Sequence, residues 1–251
     1  MNLAESILKA KGGGEVPIIA EIKRVIPKLA EEEERPKDKR DAAWLSHMYQ
    51  KGGAAGISLV TEAKYFGGQP EEDIPAVLRS TSLPLLIKDF ILDEERIDFY
   101  VELIRRAGKE QLGRVTLLLT AHWLDSRLPA MLSYIHSKGM LALVETRKPD
   151  DLSYLGNYPR SPRLVGINNK DIDELEKGED RVRLTPELVS RYRERLSDCL
   201  LISQSAHRRS MDIRRSIKAG ADAILVGTAF MVSKKPTKTV ASFVHALEDG
   251  K

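Results

Sequence analysis

The sequence predicts an α/β protein, a single (β/α)8 TIM barrel over residues 1–251 with a short N-terminal segment before the first strand. Apolar runs recur eight times along the 251 residues, and each is followed by a polar loop and a helical pattern. The runs are nearly continuous in apolar residues, as expected of parallel strands that are covered on both faces. Eight strand–helix units in about 250 residues is the usual size of such a barrel.

The predicted strands alternate with helices along the chain. The strands are predicted at residues 17–23, 56–60, 83–90, 114–120, 140–145, 163–168, 199–203 and 223–227. The clearest helical patterns lie at residues 41–51, 93–107, 124–137, 186–196 and 210–219. Asp93 and Thr185 are suited to cap two of these helices, and Pro186 suits a first helical position. Glycines suit the expected helix ends at positions 52, 108, 139 and 220.

A doubly wound parallel sheet is the structural alternative to the barrel. That fold commonly binds a dinucleotide at a G-x-G-x-x-G motif that follows a strand. No such motif follows any predicted strand, and no change in composition marks a domain boundary. The barrel is therefore the favoured fold.

The composition excludes several classes of protein. Apolar residues make up 42% and charged residues 31%, which allows a large core and argues against disorder. A net charge of +3 is too small to indicate nucleic-acid binding. No apolar run reaches the ~20 residues of a membrane span, and the N-terminus lacks the features of a signal peptide. The single cysteine, Cys199, excludes an intrachain disulfide and is expected in the core. We therefore expect a cytoplasmic protein without nucleic-acid or membrane partners.

Charged residues lie at the ends of predicted strands, where apolar residues are the rule. They are Glu21, Lys23, Lys88 and Glu145. Because the C-terminal ends of barrel strands meet at one mouth, we expect these four side chains to lie close together. Two interpretations remain open. They form either an ion-pair lattice that caps the barrel or an acid–base site in which neighbouring charges separate the pKa values.

Small residues end the last two predicted strands, and this indicates a phosphate site. Ser205 and Ala206 follow the seventh strand, and Gly227 and Thr228 lie at the end of the eighth. Backbone N–H groups and a helix N-terminus at this position of a barrel commonly bind phosphate. The alternative is that the glycine only allows a turn.

Five segments resemble the indole-3-glycerol phosphate synthase family. They are AEIKR at 20–24, GGAAGISLVTEAKYFGG at 52–68, LPLLIKDFILDEERI at 83–97, VGINNKDI at 165–172 and AGADAILVGTAFM at 219–231. The resemblance extends from about residue 17 to residue 230, in order and with suitable spacing. It implies a barrel that closes the indole ring of a carboxyphenylamino-deoxyribulose phosphate. The reaction loses CO₂ and water in tryptophan biosynthesis and needs no cofactor.

The resemblance also implies roles for individual residues. Lys88 matches the lysine that acts as general acid on the ribulose oxygen, and Glu145 matches the carboxylate of the later proton transfers. Glu21 and Lys23 match the catalytic pair of the first strand. The substrate-binding residues that it implies are the aromatic wall Phe90, the hydroxyl-binding Asn168, and the phosphate-binding Ser205, Gly227 and Thr228.

The chain departs from the family pattern at two positions near the site. Ile26 stands where the family has a serine near the anthranilate end of the substrate. Gln204 stands where the family has a glutamate, and it can hydrogen-bond to substrate but cannot ionise. The N-terminal segment is also short, which reduces the extra helix that usually lies over the site.

Other polar segments have simpler interpretations. Residues 31–40 (EEEERPKDKR) are expected to form a solvated, mobile loop. The five histidines lack the spacing of a metal site, and residues 207–209 are expected at an exposed helix start. Trp123, after the fourth strand, is suited either to stacking on an aromatic substrate or to plugging the mouth.

Three hypotheses about function remain open. The first is the lyase of the family, which would act on a small sugar phosphate as a monomer or weak homo-oligomer. The second is a paralogue for a related aryl-amino sugar phosphate, motivated by Ile26. The third is a catalytically silent phosphate-binding barrel, motivated by Gln204 and opposed by the four charged residues at the mouth.

Overall fold

The computed structural model of the protein describes residues 1–32, 37–159 and 162–248. Its centre is a closed barrel of eight parallel strands, in which consecutive strands pair and the last pairs with the first. The strands are β1 (Ile18–Ile22), β2 (Gly56–Val60), β3 (Leu85–Lys88), β4 (Val115–Thr120), β5 (Leu141–Thr146), β6 (Leu164–Asn168), β7 (Leu200–Gln204) and β8 (Ala223–Val226). The predicted barrel and all eight of its strands are confirmed.

Helices surround the barrel and follow the strands along the described chain. They are α1 (Leu3–Gly12), α2 (Pro27–Glu32), α3 (Ala42–Lys51), α4 (Pro70–Ser80), α5 (Glu94–Ala107), α6 (Ala121–Leu124), α7 (Leu128–Ser137), α8 (Pro186–Arg195), α9 (Ser210–Ala219), α10 (Thr228–Met231) and α11 (Pro236–Val244). Short 3₁₀ helices occupy Lys109–Arg114, Asp125–Arg127 and Pro149–Leu155. None of these described helices is long and apolar enough to cross a membrane.

Capping residues place several helices where the sequence predicts them. The side chain of Asp93 accepts a hydrogen bond from the N–H of Arg96, and that of Thr185 accepts one from Leu188. The single helix predicted over residues 124–137 is wrong. Asp125 has a φ of +51°, a conformation that interrupts an α-helix, so α6 ends there and α7 begins after one 3₁₀ turn.

The N-terminal helix α1 closes the amino-terminal end of the barrel. Leu3, Ala4 and Ile7 are fully buried and pack against interior residues of the strands. The Ser6 hydroxyl donates a 2.6 Å hydrogen bond to the carbonyl of Ala55, immediately before β2. This helix therefore lies at the end of the barrel opposite the strand C-termini.

The segment after β1 is more ordered than the sequence suggests. Residues 33–36 lie outside the described part of the chain. Arg40 pairs with Asp38 at 2.6 Å and donates to the carbonyls of Met231 and Ser233. These contacts fasten residues 38–40 to the barrel, so the expectation of a mobile loop is wrong for them.

We predict that Ile7→Ala destabilises the protein by about 2–5 kcal/mol, because it leaves a cavity in a packed interior. Chemical denaturation followed by circular dichroism measures this loss. Leu8→Ala is the matched control, since Leu8 is 49% exposed, and surface substitutions of this kind usually change stability by less than about 0.5 kcal/mol. Equal effects of the two substitutions would show that α1 does not stabilise the barrel.

Candidate active site

The four charged residues predicted at the mouth lie together. Glu21 forms ion pairs with both lysines, at 2.9 Å from its Oε1 to Lys23 Nζ and at 3.2 Å from its Oε2 to Lys88 Nζ. Glu145, on β5, is within electrostatic reach of Lys88. All four residues are buried. Buried charges of this kind need partners, and here the partners come from three different strands.

A fifth charged residue, Glu176, joins this cluster from the loop between β6 and α8. Its carboxylate lies 3.1 Å from Lys23 Nζ and 3.8 Å from Lys88 Nζ. It also accepts a 3.0 Å hydrogen bond from the Ser205 hydroxyl. Glu176 cannot be recognised from the sequence, because its loop carries several acidic residues and nothing in the pattern separates the inward-facing one from the others.

The carboxylates keep both lysines charged. Burial alone would lower the pKa of Lys88, but the negative charges of Glu21, Glu176 and Glu145 outweigh it and raise that pKa. Burial alone would also lower the pKa of Lys23. The negative charges of Glu176 and Glu21 outweigh this effect and raise that pKa. Both side chains are therefore ammonium groups at neutral pH, able to donate protons or to bind anions.

Glu145 is the carboxylate whose proton is exchangeable near neutral pH. Burial raises the pKa of Glu145 to about 7, helped by the charges of Glu176 and Glu21 and opposed by Lys88. In contrast, Lys23 and Lys88 overcome the effect of burial on Glu176 and lower its pKa. One cluster thus holds a carboxylate that stays ionised and another that can take up and release a proton.

A cavity with mostly apolar walls opens beside Lys88 and Glu145. Its walls include the apolar side chains Val60, Phe66, Phe90, Leu118 and Ile172. Phe90 packs edge-on against Phe66 and Trp123, with ring centroids 6.4 and 4.9 Å away. Such walls have the chemical character that suits an aromatic group, and Lys88 and Glu145 line the same cavity.

The end of β3 is held by a buried network. The Asp89 carboxylate accepts 2.5 Å hydrogen bonds from the Tyr100 hydroxyl and from Arg96 Nε. The Tyr100 hydroxyl also contacts that of Thr61 at 2.7 Å. This network fixes the backbone between Lys88 and Phe90, so both side chains keep their direction into the mouth.

A second, polar cavity lies at the ends of β7 and β8. Ser205, Ala206, Gly227 and Thr228 line it, as the sequence predicts for a phosphate site. Ser205 and Ala206 have φ values of +62° and +66°, a conformation that is costly for residues other than glycine. Backbone held in this way is typical of functional turns.

Gly227 has no room for a side chain. A Cβ atom there would lie 2.4 Å from Glu21 Oε1 and 3.2 Å from Lys23 Cε. The glycine therefore lets the Glu21–Lys23 pair approach the end of β8. This close approach brings the charged cluster and the polar cavity together.

Asn168 and Asn169 organise the end of β6. Asn168 Nδ2 donates a weak 3.4 Å hydrogen bond to Glu145, and its Oδ1 accepts from the N–H of Lys170. Asn169 donates to the carbonyl of Gln204 and accepts from the N–H of Arg183. Asn168 thus belongs to the cluster, whereas Asn169 ties both ends of the following loop to the barrel.

The two departures from the family pattern lie away from the apolar cavity. Gln204 is fully buried in the barrel interior, where its amide lies against Gly166, and it does not line either described cavity. Ile26 lines a neighbouring cavity together with Leu175 and Thr228. The structure thus places Ile26 on the side of the polar cavity.

The structure also bears on the predictions for His207 and Trp123. The sequence predicts His207 at an exposed helix start, but this side chain is buried and forms a 2.8 Å hydrogen bond with Ser216. Burial lowers the pKa of His207 to about 4, so it is neutral at pH 7. Trp123 packs against Phe90 and donates a 2.8 Å hydrogen bond to Asp173, as a plug of the mouth would.

Over residues 1–32, 37–159 and 162–248, no group of three or more His, Cys, Asp or Glu side chains is arranged to hold a metal ion. The lone cysteine, Cys199, is buried before β7.

Comparison with known proteins identifies the family. The family model described as indole-3-glycerol phosphate synthase matches residues 1–243. A protein of that name from Pyrococcus furiosus is 32% identical over 245 residues, covering 98% of this chain and 97% of its own. One from Pyrococcus abyssi is 33% identical over 92% of each chain. One from Leifsonia xyli is 34% identical over 91% of this chain and 79% of its own. With these matches over nearly its whole length, and a mouth built from the residues that the family motifs carry, the chain belongs to the indole-3-glycerol phosphate synthase family.

Proposed function

We propose that this protein is an indole-3-glycerol phosphate synthase, a carboxy-lyase of tryptophan biosynthesis. Its substrate would be 1-(2-carboxyphenylamino)-1-deoxyribulose 5-phosphate. The observation that carries the proposal is the pair of cavities on either side of Lys23, one apolar and one polar. An aryl ring suits the first and a phosphate the second, and Lys88 and Glu145 lie where the ribulose carbons would join them.

Lys88 is proposed to start the reaction as a general acid. An electron pair of the aryl ring attacks the ribulose carbonyl carbon, a carbon–carbon bond forms, and the carbonyl oxygen takes a proton from the Lys88 ammonium. CO₂ then leaves, and the electron pair of the broken bond restores the aromatic ring. The apolar wall around Phe90 holds the ring against the carbonyl carbon. This positioning lowers the entropy cost of bringing the two reacting carbons together.

Glu145 is proposed to act in the loss of water that follows. Its carboxylate accepts a proton from the methylene carbon beside the amine nitrogen, and the hydroxyl formed in the first step leaves as water with a proton from solvent. The electron pair of the broken C–H bond forms the carbon–carbon double bond that completes the indole, and the nitrogen keeps its proton. A carboxyl with a pKa near 7 exchanges protons readily at neutral pH. Asn168, hydrogen-bonded to Glu145, is positioned to hold a substrate hydroxyl.

The phosphate is proposed to bind at the ends of β7 and β8. Ser205 and Thr228 offer hydroxyl groups, and the turn after β7 offers backbone N–H groups. Lys23 lines the same cavity and supplies a positive charge. Together these groups match a phosphate ester.

The hypothesis of a paralogue, which would act on a substrate without the aryl carboxylate, depends on Ile26 facing the aryl end of that substrate. Within the described residues, Ile26 instead lines the cavity beside Thr228. The hypothesis of a silent barrel would leave the buried cluster of Lys88, Glu145 and Glu21 without a chemical role. We further propose one domain over residues 1–251 that works in the cytoplasm without a cofactor, as a monomer or weak homo-oligomer.

A steady-state assay that follows indole fluorescence tests the proposed activity. The purified protein is incubated with the carboxyphenylamino-deoxyribulose phosphate, and product formation is compared with a heat-denatured sample. Product above background supports the proposal, and its absence rejects the synthase.

We predict that Lys88→Ala lowers kcat by about 10²–10⁴-fold, the usual effect of removing a general acid. Inorganic phosphate should still bind, because the polar cavity does not include Lys88. Lys9→Ala, on the exposed surface of α1, is the matched control and should retain full activity. A loss of less than about tenfold would assign the acid role to another group.

We predict that kcat/KM falls as the pH drops below about 7, by about tenfold per unit, because Glu145 must be ionised to accept a proton. The groups facing it are Lys88, Glu21, Glu176 and Asn168. Buried His207 has its pKa lowered to about 4 and does not titrate in this range. Glu145→Gln should remove this dependence from the residual activity. An unchanged profile in that variant would contradict the assignment.

We predict that Gly227→Ala weakens binding of inorganic phosphate by about tenfold or more, equivalent to ~1.4 kcal/mol. The added methyl group collides with Glu21 and pushes the Glu21–Lys23 pair into the polar cavity. Gly113→Ala is the matched control, because a Cβ atom there meets no atom within 4 Å. Titration calorimetry measures both affinities, and equal values would place the phosphate elsewhere.

A further inference from the structure

The apolar and polar cavities are separated by two side chains. Lys23 and Glu176 line both cavities, and their ion pair of 3.1 Å lies between them. A substrate with an aryl ring in one cavity and a phosphate in the other must pass through this junction. The Glu176 carboxylate therefore occupies space that the proposed substrate needs.

Glu176 also uses the groups that a phosphate would use. It accepts a hydrogen bond from the Ser205 hydroxyl and neutralises Lys23, which are two of the proposed phosphate ligands. A carboxylate and a phosphate cannot share these donors, because two anions side by side in a buried site repel each other strongly. One anion must leave when the other binds.

The loop that carries Glu176 is held in a costly conformation. Leu175 and Glu176 have φ values of +52° and +57°, a region that residues other than glycine seldom adopt. Lys170 Nζ donates a 3.0 Å hydrogen bond to the carbonyl of Glu176 and pairs with Asp180 at 2.6 Å. The ion pairs of Glu176 offset this backbone cost, so removal of those pairs frees the loop to relax.

A second contact anchors the loop at its other side. The carboxylate of Asp173 accepts hydrogen bonds from Trp123 Nε1 at 2.8 Å and from Arg147 at 2.9 Å. The side chain of Glu176 can therefore swing away while the backbone and Asp173 keep the loop attached beside the apolar cavity. The exchangeable contacts of the loop are those of the Glu176 carboxylate with Lys23, Lys88 and Ser205.

We propose that Glu176 is an internal competitor for the phosphate group of the substrate, and that it determines which ligands open the site. A ligand with a phosphate replaces the contacts that Lys23 and Ser205 lose when Glu176 leaves, whereas a neutral analogue of the same shape does not. The inference rests on the proposed function for the identity of the substrate, but the competition concerns any phosphate that binds between Ser205 and Lys23.

The charge of Glu176 also acts on the acid and the base. It helps to raise the pKa of Lys88 and that of Glu145. In Glu176→Gln, where an uncharged amide takes its place, both pKa values fall. The ammonium of Lys88 then gives up its proton more readily, and Glu145 is more fully ionised.

The test measures binding of inorganic phosphate to the intact protein by titration calorimetry. Glu176→Gln should tighten binding by about tenfold, which corresponds to ~1.4 kcal/mol, because a neutral amide competes poorly for ammonium groups. Glu176→Asp keeps the charge but is one methylene too short to span the junction, so it should also tighten binding. Glu179→Gln, an exposed charge on the same loop, is the matched control and should bind phosphate as the parent does.

Several outcomes would overturn the proposal. They are unchanged or weaker phosphate binding in Glu176→Gln, and equal tightening in Glu179→Gln. A third is tightening in Glu176→Gln with parental affinity in Glu176→Asp, which would mean that charge alone acts and no displacement occurs. Absence of phosphate binding in every protein would also reject it, together with the proposed phosphate site.

Kinetics add a measurement that a merely structural residue would not change. In Glu176→Gln, KM for the proposed substrate should fall, and the acid limb of kcat/KM should move to lower pH because Glu145 loses a neighbouring negative charge. A drop in kcat with unchanged KM would instead make Glu176 a catalytic residue. If the indole assay shows no turnover while Glu176→Gln and Glu176→Asp tighten phosphate binding, the competition stands and only the proposed reaction fails.

Discussion

The mouth of the barrel depends on one carboxylate, that of Glu21, which contacts Lys23 at 2.9 Å and Lys88 at 3.2 Å. Two ammonium groups could not be buried side by side without such a partner, because an unpaired buried charge is very costly. Gly227 makes the contact possible, since any side chain there would collide with Glu21. The end of β8 can therefore pack directly against the charged cluster of β1 and β3, because Gly227 has no Cβ atom.

Burial and the charge balance of the cluster together explain why Glu145 is the group that exchanges protons. Burial raises the pKa of Glu145 to about 7; Lys88 opposes this rise, and the negative charges of Glu176 and Glu21 add to it. Glu176 is buried as well, but Lys23 and Lys88 outweigh that burial and lower its pKa. The same balance links the loop after β6 to the chemistry, because any movement of Glu176 changes the electrostatics at Lys88 and Glu145.

The division of the mouth into an apolar and a polar cavity follows from strand order. Residues at the ends of β2, β3 and β4 supply the apolar walls, whereas the ends of β7 and β8 supply hydroxyl and backbone groups. Lys23, at the end of β1, lies between the two groups of strands because β1 pairs with both β2 and β8 in the closed barrel. A ligand with chemically different ends therefore has only one orientation that matches both cavities.

The barrel, its eight strands and the charged residues at their ends are predictable from the sequence. Apolar runs mark buried parallel strands, and closure of the barrel brings their C-terminal ends to one mouth whatever the loops do. The positions of loop residues follow instead from the tertiary structure. In it, His207 is buried, Ile26 lies on the polar side, and Glu176 lies between the two lysines. Strand residues alternate with a fixed period, so their direction can be predicted. A loop residue such as Glu176 has no such period, and its direction depends on backbone angles and on partners that are distant in the chain.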